Sequence, residues 1–239
     1  MLRKNAAAVS MDKSDAVLSQ GQRERNKRDK LLRIRNAARE LFVSKGYDDT
    51  TIREIAAKAS VGMGTVFTYA DNKRDLLFLI ANDDLADVMQ LGARESSREG
   101  TLLGSVLSLF RWHYEYFAQQ PELSQLMLRE MVFYDSGAQA NRFKAMREEF
   151  MSLLNESVRL AQRRGEIAWS GDSVDIGWVI FCLYQVEVRR WLAEGKLDVA
   201  EGMESLARAV RVVMTGLQAR EPLKQATPGG RKRRTQTAR

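Results

Sequence analysis

Apolar residues recur at intervals of three and four from about residue 29 to residue 218, and only three prolines interrupt the 239 residues of the chain. Between Asp29 and Lys45, for example, the apolar positions fall on one side of a helix. No segment of useful length alternates between apolar and polar residues as a half-buried strand does. The abundance of Ala, Leu, Arg and Glu favours helices further. The pattern therefore predicts an all-α fold.

Composition narrows the class of protein. A hydrophobic content of 44% and an aromatic content of 8% are typical of a folded domain. No apolar run is long enough to cross a membrane, and acidic residues near the start argue against a signal peptide. The single cysteine, Cys182, excludes an intramolecular disulfide, and we interpret it as a buried structural thiol. We expect a cytoplasmic protein with no membrane partner.

The net charge of +7 is unevenly distributed. Residues 1–80 carry +6, residues 81–217 carry −5, and residues 218–239 carry +6. A basic N-terminal part favours a polyanion as partner, either nucleic acid or an anionic membrane surface. A solvated charged face explains the charge alone equally well.

Breaks in the periodicity give the helices. The first, residues 29–45, ends at Gly46, and the second begins at Thr51, which forms a T-x-x-E capping-box pattern with Glu54. The turn "VGMG" and a short helix over 63–69 follow, and a longer helix begins near Asp71. Further helices are predicted over 101–118, 122–134, 138–164, 172–194 and 198–218.

The second and third helices, joined by a tight glycine-containing turn, predict a helix-turn-helix whose second helix enters a major groove. Gly62 and Gly64 would allow a sharp turn and close backbone approach. Thr65, Thr68 and Tyr69 offer hydroxyls to phosphate or base, and Lys73 offers an ammonium. The alternative is that Val61, Val66 and Phe67 are the core of a small bundle, which we favour for the two valines.

A known family resembles this part of the chain. Residues 31–81 resemble the DNA-binding domain of TetR/AcrR-like transcription regulators, and residues 41–77 within them follow the pattern "LFxxKGYDxTTIxxIAxxAxVxxGTVFxYxxNKxxLL". The resemblance implies an N-terminal three-helix DNA-binding domain and a C-terminal helical domain that binds an effector and dimerises. It also implies a homodimer on a palindromic, inverted-repeat operator in double-stranded DNA.

Carried onto this chain, the resemblance assigns DNA contacts to Thr51, Arg53, Gly62, Met63, Gly64, Thr65, Thr68, Tyr69 and Lys73. Three positions depart from the family. Phe67 stands where a tyrosine is common, Ala70 where an aromatic is usual, and Met63 where a polar residue is common. Base preference therefore does not transfer to this chain.

Four regions are predicted. Residues 1–26 form a flexible basic arm, 27–74 the helix-turn-helix domain, 75–219 the effector-binding and dimerisation domain, and 220–239 a disordered basic tail. Arg23, Arg25, Lys27, Arg28 and Lys30 could add sequence-independent DNA contacts, as could the run from Arg231 to Arg234. For the C-terminal run we favour a solubilising role.

Aromatic and methionine side chains are concentrated in the C-terminal part, as an apolar ligand pocket requires. The candidate pocket residues are Phe110, His113, Tyr114, Phe117, Met127, Met131, Phe150 and Trp178. The same residues would also suit an ordinary helical core. A small hydrophobic effector is expected, and a drug, a fatty acyl compound and an aromatic metabolite stay open.

The last two predicted helices carry more apolar surface than one subunit covers, which favours a four-helix dimer interface. The interface candidates are Val179, Leu183, Val186, Val210, Val213 and Met214. Packing within the chain is the alternative.

Catalytic signatures are missing from the sequence. It contains no nucleophile elbow, phosphate loop or HExxH, and one His with one Cys makes a metal site improbable. The pair Asp83 and Asp84 is interpreted as solvated. We therefore expect no enzyme and no cofactor, but a ligand-responsive regulator, most simply a repressor. The alternative is a helical interaction module that binds DNA or an anionic surface without specificity.

Overall fold

The computed structural model describes residues 3–168, 171–195 and 197–216, with side chains from residue 21 onward. Within these ranges the chain is helical and has no strand, which confirms the all-α prediction. The helices are α1 (Arg3–Ser44), α2 (Ile52–Lys58), α3 (Met63–Phe67), α4 (Lys73–Ser96), α5 (Leu102–Gln119), α6 (Pro121–Glu130), α7 (Ala140–Arg163), α8 (Ser173–Ala193) and α9 (Val199–Gly216). A short 3-10 helix, Met131–Phe133, follows α6.

The first helix is much longer than predicted. It begins at Arg3 rather than near residue 29, so the segment predicted as a flexible arm is continuous with α1. The periodicity missed this extension because its residues are largely polar, with Ser, Asn and Asp among them, and form no apolar stripe. The predicted tail, residues 220–239, lies outside the described residues. The division into four regions stays a prediction.

The N-terminal core joins α1, α2 and α3 to the start of α4. Ile34 and Phe42 of α1, Ile55 of α2 and Val66 of α3 are buried together with the first turns of α4. The left-handed backbone of Gly46, with φ of 93°, ends α1 and turns the chain toward α2. These contacts fix the orientation of the two short helices against α1.

The C-terminal core is formed by the later part of α4 with α5 to α9. The pair α4 and α5 packs closely at Gly92, where an added Cβ would lie 2.7 Å from the carbonyl oxygen of Leu109. Phe78, Leu85 and Met89 of α4 belong to this core, whereas Leu76 and Ile80 belong to the N-terminal one. The helix α4 therefore supplies both cores.

The described helices are also informative about membranes. None of them is both long enough and apolar enough to span a lipid bilayer.

Candidate DNA interface and effector cavity

The start of α2 is held by the predicted capping box. The Thr51 hydroxyl accepts a hydrogen bond from the Glu54 backbone N–H at 3.3 Å, and the Thr51 N–H donates to the Glu54 carboxylate at 2.9 Å. A hydrogen bond from the Lys45 ammonium lowers the pKa of Glu54 to about 2. Thr51, predicted to contact DNA, is thus also the N-cap of α2.

The turn between α2 and α3 is not made by its glycines. Ser60 takes the left-handed conformation, with φ of 53°, whereas Gly62 has an ordinary φ of −71° as the N-cap of α3. An added Cβ at Gly62 or Gly64 would meet no other part of the described chain within 4 Å. The prediction that these glycines allow the sharp turn was wrong, because Ser60 adopts the left-handed backbone. Because these glycines are small, they leave space open on the outer side of the chain.

The helix α3 has a buried side and an exposed side. Val66 is completely buried, while Met63, Gly64 and Phe67 face solvent. Thr65 and Tyr69 are half-buried, and Thr68 is exposed. Val66 and the half-buried Val61 pack in the N-terminal core, as favoured from sequence, but Phe67 does not. The helix ends at Phe67, two residues earlier than predicted.

Several candidate contact groups have partners within the chain. The Thr68 hydroxyl donates to the Gly64 carbonyl at 3.0 Å, and the Tyr69 hydroxyl donates to the Lys27 carbonyl at 3.2 Å. The Lys73 ammonium donates to the carbonyls of Tyr47 and Asp48, at 2.7 and 3.0 Å, and lies over the Tyr47 ring.

Cationic side chains surround α3 on two helices. Arg53 of α2 is exposed and forms no hydrogen bond or ion pair with the described part of the chain. On α1 the five basic candidates Arg23, Arg25, Lys27, Arg28 and Lys30 are all exposed. Arg33, further along α1, reaches the Ser60 carbonyl of the turn at 3.4 Å. The run from Arg231 to Arg234 lies outside the described residues.

The C-terminal core contains a cavity of about 60 Å³ between α4, α5, α6, α7 and α8. Its apolar wall is formed by Leu85, Met89, Phe117, Met127, Met131, Phe143, Met146, Phe150, Phe181 and Tyr184. Three polar side chains, His113, Arg147 and Gln185, complete the lining. An apolar cavity with a few polar groups is the usual form of a small-molecule site.

Five of the eight predicted pocket residues line this cavity: His113, Phe117, Met127, Met131 and Phe150. Phe110 does not, because it is fully buried and stacks on Tyr184 at 4.0 Å between ring centroids. Tyr114 packs instead against Trp191. Trp178 is 56% exposed on the outer side of α8, so its assignment to the pocket was wrong.

Sequence reasoning missed the cavity residues of α4 and α8, and Arg147 of α7. A local signal existed for Arg147, because Phe143, Arg147 and Phe150 follow each other at helical spacing. Leu85 and Phe181 come from helices far apart in the chain, and no local pattern relates them. Only the tertiary packing brings these side chains together.

The histidine of the cavity is neutral at pH 7. Burial lowers the pKa of His113 to about 4, against a smaller raising influence of the Leu109 carbonyl. Its Nδ1 is buried and forms no hydrogen bond of good geometry within the described residues. The ring is enclosed by aromatic neighbours, with the Phe150 ring centroid 5.3 Å away.

The six predicted interface residues on α8 and α9 differ in their exposure. Val179 and Val186 are exposed, whereas Leu183, Val213 and Met214 are half-buried. Val210 is completely buried in the core of its own subunit, so it is not free to contact a second chain. Cys182 is exposed beside these valines, and its interpretation as a buried thiol was wrong, because it lies on the outer side of α8.

An ion-pair network connects α1 to the C-terminal helices. Arg35 pairs with Asp83 at 2.6 Å and Arg39 pairs with Asp84 at 2.6 Å. Arg142 of α7 also pairs with Asp83, and the Tyr116 hydroxyl of α5 donates to Asp84 at 3.1 Å. The two aspartates, interpreted from sequence as solvated, therefore join α1, α4, α5 and α7.

A second connection is the loop of residues 134–139, which we call the clasp loop. The buried Asp75 carboxylate of α4 accepts hydrogen bonds from the Tyr134 hydroxyl and from the Gln139 N–H, the latter at 2.9 Å. The Gln139 side chain donates to the Tyr69 carbonyl, just after α3, at 3.0 Å. The Tyr134 ring stacks on Phe78 and packs against Phe143, which lines the cavity.

This chain is similar to known proteins in both sequence and fold. The family model described as bacterial regulatory proteins of the tetR family matches residues 34–80. The crystal structure of the Thermus thermophilus repressor FadR, in complex with lauroyl-CoA, has 27% identity and a TM-score of 0.61. The match covers 84% of this chain and all of that one.

Two sequence relatives agree with the structural match. The transcriptional repressor BepR of Brucella suis is 23% identical over 77% of this chain and 88% of its own length. The fatty acid metabolism regulator protein of Bacillus subtilis is 26% identical over 44% of this chain. This second match spans only 56% of the Bacillus protein's length.

Proposed function

Because the chain belongs to the tetR family of bacterial regulatory proteins, we propose that it is a ligand-responsive transcriptional repressor. It binds an inverted-repeat operator as a homodimer and releases it when a small hydrophobic effector enters the cavity. We also propose that the protein is not an enzyme and that it acts in the cytoplasm, where the DNA that it binds is found.

One observation carries the proposal: α3 is fixed by a buried Val66 and presents Met63, Gly64 and Phe67 to solvent. A recognition helix needs this division, because a firmly packed side must hold the exposed side against base edges. Nothing in the described part of the chain requires glycine at positions 62 and 64. A DNA backbone or base edge approaching α3 supplies the missing reason for their small size.

Phosphate contacts position the recognition helix. We assign them to Thr51, Arg53, Thr68, Tyr69 and Lys73, with base or groove contacts from Gly62, Met63, Gly64 and Thr65. The hydrogen bonds that Tyr69 and Lys73 make to carbonyls hold these side chains beside α3 before DNA arrives. Binding then costs little side-chain entropy. The basic residues of α1 add salt-dependent affinity without sequence preference.

A homodimer through α8 and α9 fits the exposed apolar surface of these helices. Val186 is 63% exposed on α8, and Val212 is 74% exposed on α9. A two-fold axis between subunits would cover both and would place two copies of α3 on one face of the DNA. Of the candidates from sequence, Val179, Leu183, Val186, Val213 and Met214 remain in this proposal, and Val210 is removed.

The clasp loop provides a route from cavity to recognition helix. Met131 and Phe143 line the cavity on either side of the loop, and the loop itself holds Asp75 and Tyr69. An effector that displaces Met131 or Phe143 would favour a state with a different α4 orientation. The spacing of the two recognition helices would then no longer fit the operator.

The relatives support a lipophilic effector. The Thermus protein, 27% identical, was crystallised in complex with lauroyl-CoA. The apolar lining of the cavity in this chain fits a hydrocarbon part of that kind. The alternative function, a helical module with non-specific binding to DNA or anionic surfaces, is favoured only by the exposed cations of α1.

Selection of bound duplexes from a random pool, at two salt concentrations, separates these functions. We expect an enriched inverted repeat whose enrichment persists at the higher salt concentration. The variant Arg53→Gln should weaken binding to all duplexes without changing the selected sequence. Recovery of no motif, with binding that disappears as salt rises, would rule out the proposed repressor.

A further inference from the structure

The three polar side chains of the cavity differ in which of their groups lack a hydrogen-bond or ion-pair partner. The buried Nδ1 of His113 has no hydrogen bond of good geometry within the described part of the chain, and the Leu109 carbonyl influences the ring less than burial does. Arg147 has no ion-pair partner there either. The Gln185 side-chain oxygen accepts a hydrogen bond from Arg189, so Gln185 offers its amide N–H groups to the cavity. The cavity thus offers a ligand the imidazole of His113, the cation of Arg147 and the amide N–H groups of Gln185.

His113 selects for a neutral oxygen. Since burial holds its pKa near 4, the ring is uncharged at pH 7 and has one donor and one acceptor nitrogen. A hydroxyl can pair with either nitrogen of such a ring, and a carbonyl oxygen can accept from its N–H. A purely hydrocarbon occupant would leave it without a partner and would lose affinity accordingly.

Arg147 selects for an anion at the edge of the cavity. Its side chain is exposed overall but contributes to the lining, and its guanidinium is permanently charged. Phe150, three residues further along α7, packs edge-on against His113. Three residues correspond to about 4.5 Å along a helix. The anionic group and the neutral oxygen of a ligand are therefore separated by only a short stretch of chain.

The shape of the cavity favours a flexible chain. Its volume of about 60 Å³ is small beside the roughly 300–1,000 Å³ of typical ligand sites, so an occupant must displace side chains. Four of those side chains are methionines, which change rotamer at little cost. A narrow chain requires fewer displacements than a rigid ring system.

Resting on the proposed function, we infer that the effector is an amphipathic anion with an oxygen inside its apolar part. The anionic group lies at Arg147 and Gln185, the oxygen at His113, and a flexible hydrocarbon chain lies among the methionines. A hydroxylated fatty acid has this chemistry, and so does an acyl thioester with an anionic carrier.

Calorimetric titration of the full chain with four ten-carbon probes tests the inference. The probes are decanoate, 3-hydroxydecanoate, decanoyl-CoA and decan-1-ol. We expect the alcohol to bind weakest, and either 3-hydroxydecanoate or decanoyl-CoA to bind at least fivefold tighter than decanoate. Which of the two binds tighter identifies the source of the oxygen, a hydroxyl or a thioester.

Two variants assign the contacts. Arg147→Gln should weaken binding of the anions about tenfold and leave the alcohol unchanged. Lys144→Gln, an equal charge change on the same helix away from the cavity lining, is the matched control. His113→Leu should abolish the preference over decanoate without weakening decanoate itself.

Three results would overturn the inference: decanoate binding as tightly as both oxygenated probes, decanol binding as tightly as decanoate, or equal effects of Arg147→Gln and Lys144→Gln. The comparison of probes uses the unaltered protein and does not depend on how the variants fold. Duplex selection needs no effector. Its success beside failed titrations would leave the repressor intact and reject only this ligand class.

Discussion

Gly64 of α3 gives the clearest single-residue argument for the proposed DNA contact. Within a helix glycine is unfavourable, and no other part of the described chain comes within 4 Å of the place of its missing Cβ. Sequence reasoning identified Gly62 and Gly64 correctly as unusual but attributed the turn to them. The left-handed residue was Ser60, which no sequence signal distinguishes from an ordinary turn serine.

The substitution Gly64→Ala separates folding from DNA binding. Because alanine fits the helix without a clash, we expect the free energy of unfolding to rise by ~0.5–1 kcal/mol. Operator affinity should fall about tenfold, or ~1.4 kcal/mol, because the added methyl group holds the DNA away. Denaturant unfolding and fluorescence anisotropy measure the two effects. The control is Gly100→Ala, equally open but distant from α3; unchanged operator affinity in both variants contradicts the assignment.

His113 makes stability depend on pH in a defined window. Its pKa is about 4 in the folded protein and about 6.5 in an unfolded chain. Above pH 6.5 both states are neutral; as the pH falls from 6.5 to 4, the unfolded chain takes up the proton first. The folded state therefore loses up to about 3 kcal/mol across this window.

Urea unfolding between pH 7 and pH 4 checks this dependence. Other groups also titrate in this range, so the difference in slope between the wild type and His113→Leu is the quantity to compare. We expect the variant to lose less stability on acidification. Parallel curves would show that His113 is not the buried neutral base described above.

Among the helices, the breaks in the sequence predicted most boundaries to within two or three residues, because proline and glycine interrupt helical hydrogen bonding locally. The start of α1 was missed because its largely polar residues carry no periodic signal. The clasp loop was missed as well. Its sequence predicted an ordinary connection near Gly137. Only the tertiary packing brings Tyr134 and Gln139 to Asp75.

The clasp loop gives a pair of tyrosine variants with opposite expectations. Tyr134→Phe removes a hydrogen bond to the buried Asp75 carboxylate and should lower the free energy of unfolding by about 1.5–3 kcal/mol. Tyr114→Phe removes a buried hydroxyl that has no partner and should leave stability unchanged or slightly raised. Guanidinium titrations compare them, and equal losses would contradict the role given to the clasp loop.

The proposed whole molecule is a dimer whose two recognition helices act together. The sequence predicted this arrangement from the apolar surface of the last two helices and from family resemblance. Apolar periodicity alone does not tell an interface from a core, since both are apolar. Val210 and Val186 both looked like interface residues, yet one is buried within the subunit and the other is exposed. Their difference depends on how α9 packs against α5 and α8.

A charge at position 186 should separate the subunits. Val186→Glu places a carboxylate in the proposed apolar interface, so we expect a monomer in sedimentation experiments and loss of operator binding, with unchanged helical content. Val132→Glu is the matched control, because Val132 is 56% exposed outside α8 and α9. A dimer that persists in Val186→Glu, or dissociates in both variants, would move the interface elsewhere.

The sharing of α4 by the two cores limits how such a protein can be recombined. A DNA-reading part cut before residue 75 would leave behind Leu76 and Ile80, which complete its own core. A viable exchange between regulators must therefore carry the first turns of α4 and keep the residues that continue into the effector half. The DNA-binding domain is therefore not an independent module. In the proposed repressor, new operators are more readily acquired by changing the exposed side of α3 than by exchanging domains.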